Sequence, residues 1–73
     1  MRLHIAPYGG GWKVEEEVSP DGRYIRHPES YDNEGAAMAA AIAFAFRKAP
    51  KYKEDVHITI IRENRIRENR SKP

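Results

Sequence analysis

Leu3-His4-Ile5-Ala6 alternates apolar and polar residues, the period of a strand with one buried face. Pro7-Tyr8-Gly9-Gly10-Gly11 interrupts it, and glycines allow a tight reversal through positive φ. Trp12 to Val18 resumes the alternation, with Trp12, Val14 and Val18 on one face. Ser19-Pro20-Asp21-Gly22 is a turn: Pro20 presets φ, Asp21 suits the next position and Gly22 supplies a left-handed residue. Arg23 to His27 is the returning strand. A four-residue loop over Tyr8–Gly11 pairs Pro7 with Trp12 and Ile5 with Val14. A three-residue loop over Pro20–Gly22 pairs Ser19 with Arg23 and Val18 with Tyr24. Both registers put Leu3, Ile5, Trp12, Val14, Val18 and Tyr24 on one side, which predicts a three-stranded meander.

Pro28-Glu29-Ser30-Tyr31 connects to a helix. Asp32 or Asn33 caps it, and Glu34 places a carboxylate in the first turn. Gly35 to Ala49 is helix-forming through its alanines. Met38, Ile42 and Phe46 recur at i, i+4, i+8, with Ala37, Ala41 and Phe44 widening that face toward the core. Arg47 and Lys48 suit a helix C-terminus, and Pro50 is the stop. Val56 to Ile60 alternates again.

A repeat follows: Ile61-Arg62-Glu63-Asn64-Arg65, then Ile66-Arg67-Glu68-Asn69-Arg70. Five residues fit neither regular period, so a turn is expected within it. A loop over Arg62-Glu63-Asn64, with Asn64 left-handed, pairs Arg65 with Ile61 and Ile66 with Ile60. The rival is a continuous helix from Ile60 to Arg70 with Glu–Arg pairs.

These elements predict an α+β fold in one domain over residues 1–73: a single antiparallel sheet in the order βββαββ, with the helix on one face. His4, Lys13, Glu15, Glu17, Arg23, Ile25, His57, Thr59, Ile61, Arg65 and Arg67 fall on the opposite, uncovered face. Chains of this size rarely have a large core, and no cysteine is present to staple one. The N-terminus lacks the apolar stretch of a signal peptide, and Ala36–Phe46 is too short to span a membrane. A cytoplasmic, membrane-free protein is the expectation.

Net charge is only +2, but it is unevenly placed. Glu15, Glu16 and Glu17 are acidic, whereas Arg62, Arg65, Arg67, Arg70 and Lys72 make the tail basic. Guanidinium groups grip phosphate, so those four arginines are the nucleic-acid candidates. Glu63 and Glu68 dilute them, and no aromatic row accompanies them for base stacking. His4 and His57 share a face without a third ligand, which makes a poor zinc site. Glu15 and Glu17 point the same way but face no nucleophile. Tyr8-Gly9-Gly10-Gly11 lacks the Lys-Ser/Thr and following helix of a nucleotide loop. No catalytic residue, cofactor or metal is expected.

Gly11-Trp12-Lys13-Val14, the aromatic-led Tyr31-Asp32, the alanine-rich helix and the closing apolar hairpin around Ile58 to Ile66 resemble YegP-like small bacterial and phage domains of unknown function. Those domains often carry glycine at the last turn, where this chain has Asn64. The resemblance implies a compact α+β domain with no established activity. Asp32-Asn33-Glu34-Gly35-Ala36-Ala37 after an early hairpin also resembles small phage anti-CRISPR proteins, which block a nuclease or guide complex without catalysis. The function expected is therefore a non-catalytic binding module, an adaptor or an inhibitor of a protein partner, with nucleic-acid binding as the alternative. Its expected contacts are Arg62, Arg65, Arg67 and Arg70, with Tyr8 and Ile61 as anchors. Self-pairing through an edge strand is a further expectation.

Overall fold

A computed structural model describes residues 1–52 and 55–64, leaving aside the side chains of residues 49–52. The described elements are β1 (Arg2–Tyr8), β2 (Gly11–Glu17), β3 (Tyr24–Arg26), α1 (Glu34–Tyr52) and β4 (His57–Ile60). They form an α+β fold, with one helix on an open four-stranded sheet ordered β3-β2-β1-β4.

The first hairpin has the register its glycines dictate. Ile5 faces Val14 and Pro7 faces Trp12. Tyr8 also pairs with Gly11, so the loop is Gly9-Gly10 alone. Gly9 has φ 62°, a positive value at the first central position that glycine takes without a Cβ penalty.

The second hairpin differs from expectation by one residue. Gly22 donates to the Ser19 carbonyl at 3.1 Å, which draws Ser19 into the turn. Val18 rather than Ser19 then meets Arg23, donating to its carbonyl at 2.9 Å. Glu17 pairs with Tyr24, Glu16 with Ile25 and Glu15 with Arg26. A one-residue slip exchanges the two faces of a strand. Tyr24 therefore leaves the core side and Ile25 takes its place. The electrostatics favour this choice, because Arg26 now stands against Glu15, whose side chain has no solvent exposure.

The sheet is mixed, where an antiparallel one was expected. The helix carries the chain back across the sheet, so β4 runs parallel to β1, as crossover connections allow. Leu3 pairs with Ile58 and Ile5 with Ile60. The Ile61 N–H extends the ladder to the Ile5 carbonyl at 2.8 Å. The expected second arm of the C-terminal hairpin, with Arg65 and Ile66, lies outside the described residues.

Asn33 is the helix cap: its Oδ1 accepts from the Ala36 N–H at 2.8 Å. The helix runs past the expected stop at Pro50 to Tyr52, although Pro50 offers no N–H to the Phe46 carbonyl. Its buried face keeps the expected Ala37 and Ala41 but is turned away from the expected Ile42 and Phe46. Ala37, Ala41 and Ala45 are buried against Leu3, Ile5 and Val14, with Met38, Ala40 and Phe44 at the margins. Ile42 and Phe46 are exposed. Leu3, Ile5 and Val14 already fill the interface from the sheet side, so only small side chains fit between the helix axis and the strands.

The connector before the helix is held by an isolated bridge. Trp12 donates to the Tyr31 carbonyl at 2.8 Å and Tyr31 to the Trp12 carbonyl at 2.9 Å. The close approach explains Gly11, where a Cβ would stand 2.9 Å from the Tyr31 carbonyl oxygen.

Candidate interaction surface

Two surfaces stand out, one on each side of the sheet. On the side away from α1, the corrected β3 register gathers His4, Tyr8, Lys13, Glu15, Glu17, Tyr24 and Arg26. Glu15 lies at the centre, 3.3 Å from Arg26 Nε and 3.6 Å from His4 Nδ1. Arg26 sits over the Tyr8 ring at 4.5 Å and the Tyr24 ring at 5.5 Å. His4 Nε2 is 3.5 Å from Glu17. Lys13 Nζ donates to the Pro28 and Glu29 carbonyls at 2.7 and 3.3 Å. Long polar side chains thus fold over this face and occupy one another. They explain how a carboxylate is fully buried where no second layer exists among the described residues: its charge is balanced by Arg26, and the rings exclude water. Lysine and arginine balance the two glutamates, so this face is no basic stripe for phosphates.

The contacts expected from the sequence are dispersed. Tyr8 belongs to the Arg26 cluster. Ile61 is half-buried at the end of β4. Arg62 donates to Glu34 at 3.0 Å, tying the segment after β4 to the start of α1. Asn64 grips the first hairpin: its Oδ1 accepts from the Gly9 N–H at 3.2 Å and its Nδ2 donates to the Gly9 carbonyl at 2.9 Å. Residues Ile61 to Asn64, the described part of the first copy of the repeat, therefore dock onto the fold. Arg65, Arg67 and Arg70 lie outside the described residues.

The second surface is the helix itself. From Gly35 to Phe46 the sequence is Gly-Ala-Ala-Met-Ala-Ala-Ala-Ile-Ala-Phe-Ala-Phe, with no polar side chain on any arc. A helix covering one face of a sheet ordinarily keeps a polar outer face; one apolar all round belongs to an interior. Here Ala37, Ala41 and Ala45 face the sheet. At 100° per residue, Ile42, Phe46, Gly35, Ala39 and Ala43 fall on the outer arc. Phe46 is 78% exposed and Ile42 is 42% exposed.

The sheet is also wider than its cover. Four strands span on the order of 19 Å, about twice the width of a helix. Phe44 packs edge-on against His27 at 4.7 Å, which fixes that flank of α1 on the β3 side. A cleft of about 290 Å³ remains there, lined by Val14, His27, Tyr31, Phe44 and Arg47 among others. Met38 and Ile42 lie on the opposite flank, toward β4, where Val56, Ile58 and Ile60 are only partly buried.

Sequence periodicity placed Ile42 and Phe46 in the core, because bulky residues at i and i+4 ordinarily face inward. The overlooked signal was the lack of any polar residue between Gly35 and Phe46, which leaves no arc suited to water. Among the described residues no three histidine, aspartate or glutamate side chains gather as a metal site. No described helix is long and apolar enough to cross a membrane. No protein-family model, curated protein or solved structure matches the chain.

Proposed function

We propose that this domain is a non-catalytic protein-binding module, and that its docking surface is the outer arc of α1. One observation carries the reading: the helix keeps its bulky apolar side chains, Ile42 and Phe46, outside a core built on alanine. The chemistry that fits is another protein's apolar helix laid along this arc, because a polar ligand or a phosphate backbone finds no donor there. An adaptor works by such a contact. An inhibitor of the anti-CRISPR kind needs no more than that either: covering a partner's working surface suffices.

The test is affinity capture from the host followed by reconstitution with the purified partner, whether that is another protein or untagged copies of this chain. The double variant Ile42→Asp/Phe46→Asp is expected to weaken that complex by about 100-fold or more, as loss of central apolar anchors does. Arg62→Gln and Tyr8→Ala are expected to leave it within a few-fold. A complex untouched by the first variant and lost in the latter two would move the binding surface to the charged residues. Measurable turnover of a substrate would overturn the non-catalytic assignment.

A further inference from the structure

We propose that the cleft between α1 and the connector after β3 binds a zwitterionic aromatic amino acid. It lies on the β3 flank of the helix, the opposite flank from Ile42, so it is independent of the docking surface proposed above. Its walls are fixed before any ligand arrives. The connector is held at both ends: the His27 N–H donates to the Val14 carbonyl at 2.8 Å, and the Trp12 and Tyr31 backbones bond each other. Between these points Lys13, reaching from the far side of the sheet, donates to the Pro28 and Glu29 carbonyls. The facing wall is the helix, seated on its buried alanines. Ala40 and Ala43 leave the gap, because a larger side chain at either position would fill it. The volume of about 290 Å³ lies at the small end of ligand pockets, about 300–1,000 Å³, and suits one small molecule.

The lining selects the chemistry. Val14 and Phe44 are its apolar part, and Tyr31 adds a second aromatic ring. His27 is already engaged: its ring stands edge-on to Phe44 at 4.7 Å, and its Nε2 is 3.6 Å from Glu16. Two side chains of opposite charge remain, Glu29 and Arg47. Neither has an ion-pair partner among the described residues, and they do not pair with each other. Arg47 instead rests over the Phe44 ring at 5.8 Å. A simple anion is repelled by Glu29 and a simple cation by Arg47. An uncharged ligand takes water from both charges and replaces it with nothing. A molecule with a carboxylate and an ammonium on one carbon satisfies both. Its carboxylate accepts from the Arg47 guanidinium, and its ammonium donates to the Glu29 carboxylate. An aromatic side chain then lies against Tyr31 and Phe44. Glu29 and Arg47 are exposed, so water screens each contact. About twelve non-hydrogen atoms in an open cleft then give a Kd on the order of 1 mM.

The probe is L-phenylalanine, titrated to about 20 mM into the isotope-labelled full chain and followed by NMR. Amide shifts at Tyr31, Ala40, Ala43 and Phe44 are expected to saturate together, while Thr59 on β4 stays unmoved. Two capped forms separate the charges. N-acetylphenylalanine keeps only the carboxylate and phenylalaninamide only the ammonium, and each should bind about tenfold more weakly than phenylalanine. Arg47→Gln should weaken phenylalanine by about tenfold without weakening phenylalaninamide. Glu29→Gln should weaken phenylalanine to a similar degree without weakening N-acetylphenylalanine. That crossed pattern marks direct contacts, which a merely structural role does not produce. Ala43→Leu, a helix-compatible change at an exposed position, fills the cleft and should abolish binding with the circular dichroism unchanged. The absence of any saturable shift in wild type overturns the proposal, as does binding that survives Ala43→Leu. N-acetylphenylalanine binding as tightly as phenylalanine would make this a site for anions, and phenylalaninamide doing so a site for cations; either overturns the zwitterion.

Discussion

Replacing Arg26 with methionine removes the guanidinium that balances Glu15 and keeps most of the side-chain volume. Glu15 has no solvent exposure, and Arg26 Nε lies 3.3 Å from its carboxylate. Taking one partner from a fully buried ion pair costs about 3–5 kcal/mol, mostly as the penalty of the stranded charge. Two features reduce that figure here. Arg26 is 30% exposed, so water already screens part of the attraction, and His4 Nδ1 remains 3.6 Å from the other carboxylate oxygen. The expected loss is therefore about 2 kcal/mol, which lowers the melting temperature of a chain this size by roughly 10 °C. Urea denaturation of a double-mutant cycle isolates the pair. Arg26→Met and Glu15→Gln should show a coupling of about 1.5 kcal/mol, and Arg26→Met with Glu16→Gln below about 0.5 kcal/mol. A larger coupling to Glu16 would refute the reasoning, because it belongs to the register in which Ser19 faces Arg23.

Three further outcomes are expected. Gly11→Ala drives a Cβ to 2.9 Å from the Tyr31 carbonyl oxygen; it should cost about 1–3 kcal/mol and shift the emission of Trp12, whose backbone bridges Tyr31. Asn64→Ala removes both side-chain bonds to Gly9 at an exposed site and should cost about 1 kcal/mol, with faster amide exchange at Gly9 as the local readout. The Ser19 hydroxyl bond, aided by the Arg23 N–H, holds the Asp21 carboxyl below its ordinary value. A depressed folded pKa stabilises above the unfolded value and ceases to do so as pH falls through the folded one. Ser19→Ala should accordingly raise the Asp21 titration midpoint followed by NMR and flatten the acid limb of the stability profile.

Much of the fold was legible because some residues permit only one local structure. The glycines after Tyr8 fix the first register, and Asp32-Asn33 marks the start of the helix to within one residue. The second register was not legible: whether Ser19 sits inside or outside its turn depends on one hydrogen bond to Gly22, and both choices satisfy the residue preferences. Only the burial of Glu15 opposite Arg26 separates them, and burial is a tertiary quantity. The direction of β4 was hidden for a similar reason, since Val56 to Ile60 alternates alike in parallel and antiparallel pairs. The helix misled more instructively. Periodicity identifies an apolar stripe by contrast with polar neighbours, and α1 supplies none. Of the expected contact residues, Tyr8 and Arg62 have intramolecular partners, Arg26 and Glu34, because a side chain in sequence does not disclose which partner folding will bring to it.

The pairing of β1 with β4 has a consequence for how the chain is made. Leu3 and Ile5 leave the ribosome well before the strand that completes their sheet, which emerges only after the helix. The β1–β2 hairpin is local and forms early, but the other edge of β1 must wait. Until Ile58 and Ile60 arrive, that edge offers unpaired backbone groups beside two of the most apolar residues in the protein, a template for pairing with another nascent chain. Slow translation anywhere between Gly22 and Val56 prolongs that interval. Synonymous codons in this stretch are thus expected to affect soluble yield while leaving the finished protein unchanged.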